Sequence, residues 1–181
     1  MTHHALRLRL DSSALQNNWR WLRRTAGVAT AAAVKADGYG LGAIEVTRLL
    51  AEAGCRDFFV STWAEVEALG PLPEGGELVV LHGVGPEDLP AALASVARPM
   101  LNTPQQVARW KEAAPNRPCD VMIDTGMNRL GLRTDELEVL DGLEIDTLHS
   151  HLACADEDSA MNAVQRDRFA AVAATVGARR Y

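Results

Sequence analysis

The chain has 181 residues, of which 48% are hydrophobic and 23% charged, and its formal net charge is −6. This length can bury the core of one ordinary globular domain. The negative charge argues against nucleic acid as the main partner. No apolar run approaches the ~18 residues of a membrane span, and the N-terminus lacks the apolar core of a signal peptide. Three cysteines without CxxC spacing predict reduced thiols in a cytoplasmic protein and no zinc site.

The first thirty residues predict a strand and a helix. Residues 6–10 alternate Leu and Arg, which is typical of a half-buried strand. Asp11, Ser12 and Ser13 form a helix start signal, and Gly27 is placed to end that helix.

Strands and helices then alternate along the rest of the chain. Apolar runs predict strands over residues 31–34, 57–61, 77–81, 96–101, 119–124 and 145–150. Helical spacing predicts helices over residues 43–53, 62–69, 86–94, 105–114, 134–140 and 160–176, with Thr62 and Thr103 as caps and Gly177 as the last stop. This alternation favours parallel βα units, hence an α/β fold.

Two architectures use such units, the doubly wound open sheet and the (β/α)8 barrel. About six units fit into the chain, and a seventh strand would begin near Ala178. A complete barrel takes ~250 residues. Length alone therefore favours the open sheet, and motifs have to decide between the two.

A glycine-rich turn from Gly38 to Gly42 follows the strand at 31–34 and opens a helix. Its spacing matches a dinucleotide-binding fingerprint, in which glycines let backbone amides approach a phosphate. The acid that should end the next strand and bind a ribose is missing, because Asp57 begins that strand. We therefore keep the dinucleotide-binding open sheet only as a third alternative.

Lys35 stands at the end of the first strand of this series, and Lys111 is the only other lysine. Carboxyl ends of parallel strands are where such folds place their chemistry. A partly desolvated amine is suited to forming a Schiff base with a carbonyl cofactor. Lys35 is thus the leading candidate for a catalytic residue, against the alternative of a surface lysine.

Three segments resemble the hallmarks of bacterial alanine racemases, in the order that this family has them. They are AVKADGYGLG at residues 33–42, DTGMNRLG at 124–131 and SHLACADE at 150–157. The likeness covers residues 6–181. It implies that the chain is the N-terminal part of a (β/α)8 barrel enzyme, incomplete at about six βα units, that uses pyridoxal 5′-phosphate (PLP).

The resemblance also implies roles for single residues. Lys35 matches the lysine that binds PLP covalently and acts as a base on one face of the substrate. Tyr39 matches the tyrosine that binds the cofactor phosphate, Arg129 the arginine that contacts the cofactor and the substrate carboxylate, and His151 the histidine beside the cofactor ring. The implied activity is the interconversion of L- and D-alanine for peptidoglycan synthesis by an isomerase that works as a cytoplasmic homodimer.

The sequence departs from the family in two respects. Met122 stands where many members have a carbamylated lysine that braces the arginine. In addition, we expect this chain to lack the last barrel strands and the β-rich C-terminal domain, with the second base, so that alone it is inactive or nearly so. A broad-specificity amino-acid or serine racemase and a non-catalytic PLP-binding barrel protein remain alternatives.

Overall fold

The structure is a computed structural model that describes residues 8–181. The chain divides into two compact units, one ending at Val79 and the other running from Val80 to Tyr181. The strand β3, Glu77–Val80, spans the boundary between them. Each unit has its own buried apolar side chains.

The first unit consists of short parallel strands and the helices that follow them. Its elements are α1 (Ser12–Ala26), β1 (Ala32–Ala33), a short turn α2 (Lys35–Tyr39), α3 (Ala43–Ala53), β2 (Asp57–Val60) and α4 (Trp63–Leu69). β1 and β2 are parallel, with Ala32 opposite Phe58. Phe58 and Val60 are fully buried. Trp19 of α1 is also buried, and its indole nitrogen donates to the carbonyl of Thr30 at 3.2 Å.

The second unit continues the same alternation. Its elements are α5 (Leu89–Ala94), β4 (Arg98–Leu101), α6 (Pro104–Ala113), β5 (Cys119–Ile123), a 3-10 helix (Leu137–Leu140), β6 (Ile145–Ser150) and α7 (Ala160–Ala173). β4 pairs with β5, and β5 with β6, all in parallel. All of β5 is buried, as expected of a strand that has neighbours on both sides. The α/β prediction is confirmed by these parallel pairs.

Most predicted elements are confirmed to within a few residues, because their caps are present. Asp11 caps α1 by accepting from the Ala14 amide at 2.9 Å, and Gly27 ends the helix in the left-handed conformation. Thr62 and Thr103 cap α4 and α6. Near the chain end, Arg180 makes a parallel bridge to Thr147 beside β6, which is where the spacing puts a seventh strand.

Four element predictions are wrong in part. The helix over 134–140 is only the 3-10 turn Leu137–Leu140, because the Glu136 carboxylate instead accepts from the Arg133 amide at 3.1 Å. The helix over 86–94 begins at Leu89, and the last helix ends at Ala173, before Gly177. Of the predicted strand at 6–10, residues 6 and 7 lie outside the described residues, and 8–10 are not in a strand.

Within residues 8–181, no helix is both long enough and apolar enough to cross a membrane.

Candidate active site

Lys35 follows Val34, the buried residue directly after β1. The Val34 amide donates to the Phe59 carbonyl of β2 at 2.8 Å, and Val34 is 1% exposed. Lys35 itself is half-buried. The structure therefore confirms that this lysine lies at the carboxyl end of a parallel strand, where the fold leaves a side chain available for chemistry.

The turn after Lys35 is left-handed. Ala36, Asp37 and Gly38 have φ of 51°, 53° and 62°, and Tyr39 and Gly40 continue the run at 58° and 82°. Such a conformation costs about 1–2 kcal/mol for each residue that has a Cβ. The Gly38 position also demands glycine for space, since a Cβ there would lie 3.2 Å from the backbone of Ala43. This turn is a strained segment that the surroundings must hold.

Two carboxylates hold the strained turn. Glu65 of α4 accepts from the Ala36 amide at 2.8 Å through Oε1, while its Oε2 accepts from the Ser61 and Thr62 amides at 2.5 and 3.3 Å. Asp37 accepts from the amide of Ala43, the first residue of α3, at 2.8 Å. The residue after Lys35 is thereby fixed to the end of β2.

The same hydrogen bonds argue against a dinucleotide cradle. The Gly40 amide donates to the Ala36 carbonyl at 2.9 Å and the Gly42 amide to the Asp37 carbonyl at 2.9 Å. With the Ala43 amide on Asp37, these donors are used within the turn. These three amides are therefore not available to a phosphate, whereas Tyr39, which is 64% exposed, offers its hydroxyl.

Arg129 and His151 come together in the second unit. An Nη2 of Arg129 lies 3.4 Å from Nδ1 of His151, and both side chains are exposed. A guanidinium can only donate, so Nδ1 accepts, and a neutral imidazole then carries its proton on Nε2. The pair thus presents a cation and an imidazole N–H at one place.

The loop that carries Arg129 is shaped by Asp124 and two glycines. Asp124 Oδ1 accepts from the amides of Gly126 and Asn128 at 2.9 and 3.0 Å, which makes a tight turn. The Asp124 amide donates to the Leu132 carbonyl at 2.9 Å and closes the loop. Gly131, with φ of 125°, sits where a Cβ would meet the Asp124 amide nitrogen at 2.5 Å.

Met122 is buried on β5 and 8% exposed. Its thioether carries neither a charge nor a hydrogen-bond donor, so it cannot brace Arg129 as a carbamylated lysine would. Within residues 8–181, the side chain of Arg129 is hydrogen-bonded to His151. The imidazole of His151 therefore supplies part of the support for Arg129 that the residue at position 122 does not provide.

A charged cluster lies on the strands β4, β5 and β6. Asp120, 1% exposed, accepts from Arg98 at 2.8 Å and lies 2.7 Å from Nε2 of His149. Asp146 contacts Arg98 at 3.3 Å and Arg180 at 2.7 Å. Burial alone would raise the pKa of Asp146, but the hydrogen bonds from Arg180 and Thr147 and the charge of Arg98 hold that pKa below its usual value.

The cysteines are free, as predicted. Burial raises the pKa of Cys55 to about 11 and that of Cys119 to about 12, so neither thiol is a nucleophile. Within residues 8–181 no group of His, Cys, Asp and Glu side chains is arranged to hold a metal ion.

Sequence reasoning predicted Lys35, Tyr39, Arg129 and His151 as site residues and did not single out Glu65. A signal for it was present: Thr62 and Glu65 have the spacing of a capping box, which the structure confirms. What the spacing does not reveal is that the second carboxylate oxygen reaches the residue after Lys35.

Known proteins agree with these features. The family model for the alanine racemase N-terminal domain matches residues 10–181. The alanine racemase of Dinoroseobacter shibae is 44% identical over 173 residues, covering 90% of this chain and 49% of the relative. The catabolic alanine racemase of Agrobacterium fabrum is 44% identical over 172 residues, covering 87% of this chain and 44% of the relative.

Among solved structures, the alanine racemase of Bartonella henselae with covalently bound pyridoxal phosphate has a TM-score of 0.82 and 30% identity, covering 93% of this chain and 51% of that one. The chain therefore has the fold of the N-terminal (β/α)8-type barrel of such enzymes, as the motifs predicted. It spans about half the length of the curated relatives it matches. By the family model and these relatives, the chain belongs to the alanine racemase family.

Proposed function

We propose that this chain is the N-terminal barrel portion of a PLP-dependent alanine racemase, which interconverts L- and D-alanine and so supplies D-alanine for peptidoglycan. The observation that carries the proposal is Lys35, half-buried at the end of β1 and followed by a turn whose strained geometry is held by Glu65. The racemase relatives support the choice of reaction.

The residues present fit PLP. The cofactor needs a primary amine for its aldehyde and a donor for its phosphate, and Lys35 and Tyr39 are the two reactive side chains of one turn. Beside Tyr39 the space is open, because a Cβ at Gly40 or Gly42 would meet no atom within 4 Å. Bound PLP supplies an electron sink for the charge that develops at the α carbon of an amino acid.

The chain's own residues then have distinct tasks. The amine of Lys35 holds the cofactor and, once free of it, takes or returns the α proton on one face of the substrate. The hydroxyl of Tyr39 would donate to the phosphate. Arg129 presents a guanidinium suited to a carboxylate, and His151 keeps that guanidinium oriented through Nδ1.

A labelling experiment tests the proposal with residues that this chain contains. The full chain is incubated with PLP and reduced with borohydride, and the modified peptide is identified by mass spectrometry. Since Lys35 and Lys111 are the only lysines, two variants suffice. Lys35→Arg is expected to abolish lysine labelling and the visible absorption of lysine-bound PLP.

Lys111→Arg is the matched control. Lys111 donates to the Val139 carbonyl at 2.7 Å and thus has a structural contact, so this variant is expected to label like the original chain. Labelling at Lys111, or equal labelling of both variants, would overturn the proposal. The homodimer and the assignment of residues 1–181 to one partial barrel domain stay predictions.

A further inference from the structure

A glutamine side chain is fully buried on α7. Gln165 is 0% exposed. Its Nε2 donates to the hydroxyl of Thr125 at 3.0 Å and to the carbonyl of His151 at 2.9 Å, and its Oε1 accepts from the Ala153 amide at 2.8 Å. Both donors and the carbonyl oxygen of this amide are therefore used, each on a different group.

These partners belong to the two loops that carry the Arg129–His151 pair. Thr125 lies in the loop after β5, which continues to Arg129, and Ala153 lies in the loop after β6, which begins at His151. The two loops also touch directly, since the hydroxyls of Thr125 and Ser150 are 2.6 Å apart. Gln165 thus joins both loops to one rigid helix.

Neighbouring side chains of α7 add to this attachment. Arg168 donates to the Thr125 carbonyl at 2.9 Å. Asn162 donates to the carbonyls of Cys154 and Glu157 at 2.8 and 3.0 Å. Residues 162, 165 and 168 are spaced by three and so share one helix face. We call these three side chains the α7 clamp.

We propose that Gln165 is a positioning residue for the Arg129–His151 pair: by fixing the His151 carbonyl, the Ala153 amide and Thr125 to α7, it sets the approach of the guanidinium to Nδ1. The importance of the pair for PLP chemistry rests on the proposed function. The geometric claim rests on the contacts alone.

Burial of an amide is unfavourable unless its hydrogen bonds are made, and removing one partner leaves the others unsatisfied. A fully bonded buried amide consequently accepts few alternative geometries. Arg129 and His151 are exposed and separated by 3.4 Å, so their own contact holds the two loops only weakly. The buried hydrogen bonds below the pair hold the loops more firmly: Thr125 meets Ser150 directly, and Gln165 attaches both loops to α7.

The test replaces Gln165 by a side chain of similar size without hydrogen bonds. In Gln165→Met, we expect hydrogen exchange of the Ala153 amide to become roughly 10-fold faster. The nuclear magnetic resonance signals of the His151 ring nitrogens are identified by their absence in His151→Gln. In Gln165→Met these signals should no longer show a single tautomer with Nδ1 as acceptor.

Val172→Ala is the control for general destabilisation, since Val172 is buried on α7 but its apolar side chain makes none of the hydrogen bonds that join the clamp to the two loops. When Val172→Ala and Gln165→Met are compared at equal fractions of folded protein, Val172→Ala should leave the His151 signals unchanged. Thr125→Val, which removes one acceptor of Gln165, should change them in the same direction as Gln165→Met but less, and it serves if the methionine variant does not fold.

Equal behaviour of Gln165→Met, Thr125→Val and Val172→Ala would overturn the proposal. The borohydride labelling of Lys35 is run in parallel on the original chain. Absence of that labelling would overturn the PLP function, while the His151 measurement would still decide the role of Gln165.

Discussion

The turn that carries Lys35 and the pair formed by Arg129 and His151 are held in place by different means. The turn is fixed through its backbone, by left-handed dihedral angles and by carboxylates that accept from the Ala36 and Ala43 amides. The pair is held through side chains on a helix, and the bond from Gln165 to Thr125 spans 40 positions of sequence.

The difference fits the proposed role of each group. In the proposed function the amine of Lys35 forms a covalent link and moves a proton, which needs a fixed line of approach, and a strained backbone turn leaves little freedom at its base. In the same proposal Arg129 binds the substrate carboxylate and His151 lies beside the cofactor ring, so the two only have to meet within hydrogen-bond reach. Loops aligned by a buried amide provide that, with exposed side chains free to adjust.

The largest expected effect comes from breaking the Arg129 loop at its backbone. In Gly131→Ala the new Cβ would meet the Asp124 amide nitrogen at 2.5 Å and the Ile123 carbonyl carbon at 2.8 Å. Neither atom can move without opening the closed loop. We expect a loss of about 3 kcal/mol in the free energy of unfolding, measured by urea denaturation.

Gly126→Ala is its control in the same loop. Gly126 also has a positive φ, 140°, but its Cβ would meet side chains and no backbone: Nη1 of Arg168 at 3.0 Å, with Gln165 and Met161 in ordinary contact. We expect this variant to lose about 1–2 kcal/mol, from backbone strain and a small shift of Arg168. Equal losses for the two variants would show that the clash at Asp124 is not decisive.

A smaller effect is expected where the Lys35 turn is attached to α4. Glu65→Ala removes the acceptor of the Ala36 amide together with the acid of the capping box. We expect a loss of about 1–2 kcal/mol in the free energy of unfolding. Because the base of Lys35 is no longer fixed, labelling of Lys35 by PLP should slow by roughly 5-fold.

Thr62→Ala separates these two consequences. It removes only the cap hydroxyl that accepts from the Glu65 amide at 3.4 Å, so it should reduce stability by about 1 kcal/mol and leave the labelling rate unchanged. If Thr62→Ala slows labelling as much as Glu65→Ala, the contact to Ala36 has no specific role.

The two regions also differ in how far they could be predicted from sequence. Glycines and an apolar strand marked the position of the Lys35 turn. Its handedness was hidden, because Ala36 is not a residue that favours positive φ, and Glu65, which holds Ala36, lies 29 positions away. Gln165 fell within a predicted helix, but nothing in the helical spacing distinguishes a buried amide from a solvated one.

The smallest expected effect tests whether the turn is strained. Ala36 is exposed, with φ of 51° and ψ of 49°. Ala36→Gly keeps the amide that donates to Glu65 and relieves about 1–2 kcal/mol of left-handed strain, against about 0.5–1 kcal/mol for the greater freedom of glycine in the unfolded chain. We expect a gain of about 0.5 kcal/mol in the free energy of unfolding, measured by urea denaturation.

Ala64→Gly, at an exposed position of the right-handed helix α4, should instead lose about 1 kcal/mol. If both variants lose stability alike, the left-handed turn is not under strain, and the rigidity at Lys35 comes from Glu65 and Asp37 alone.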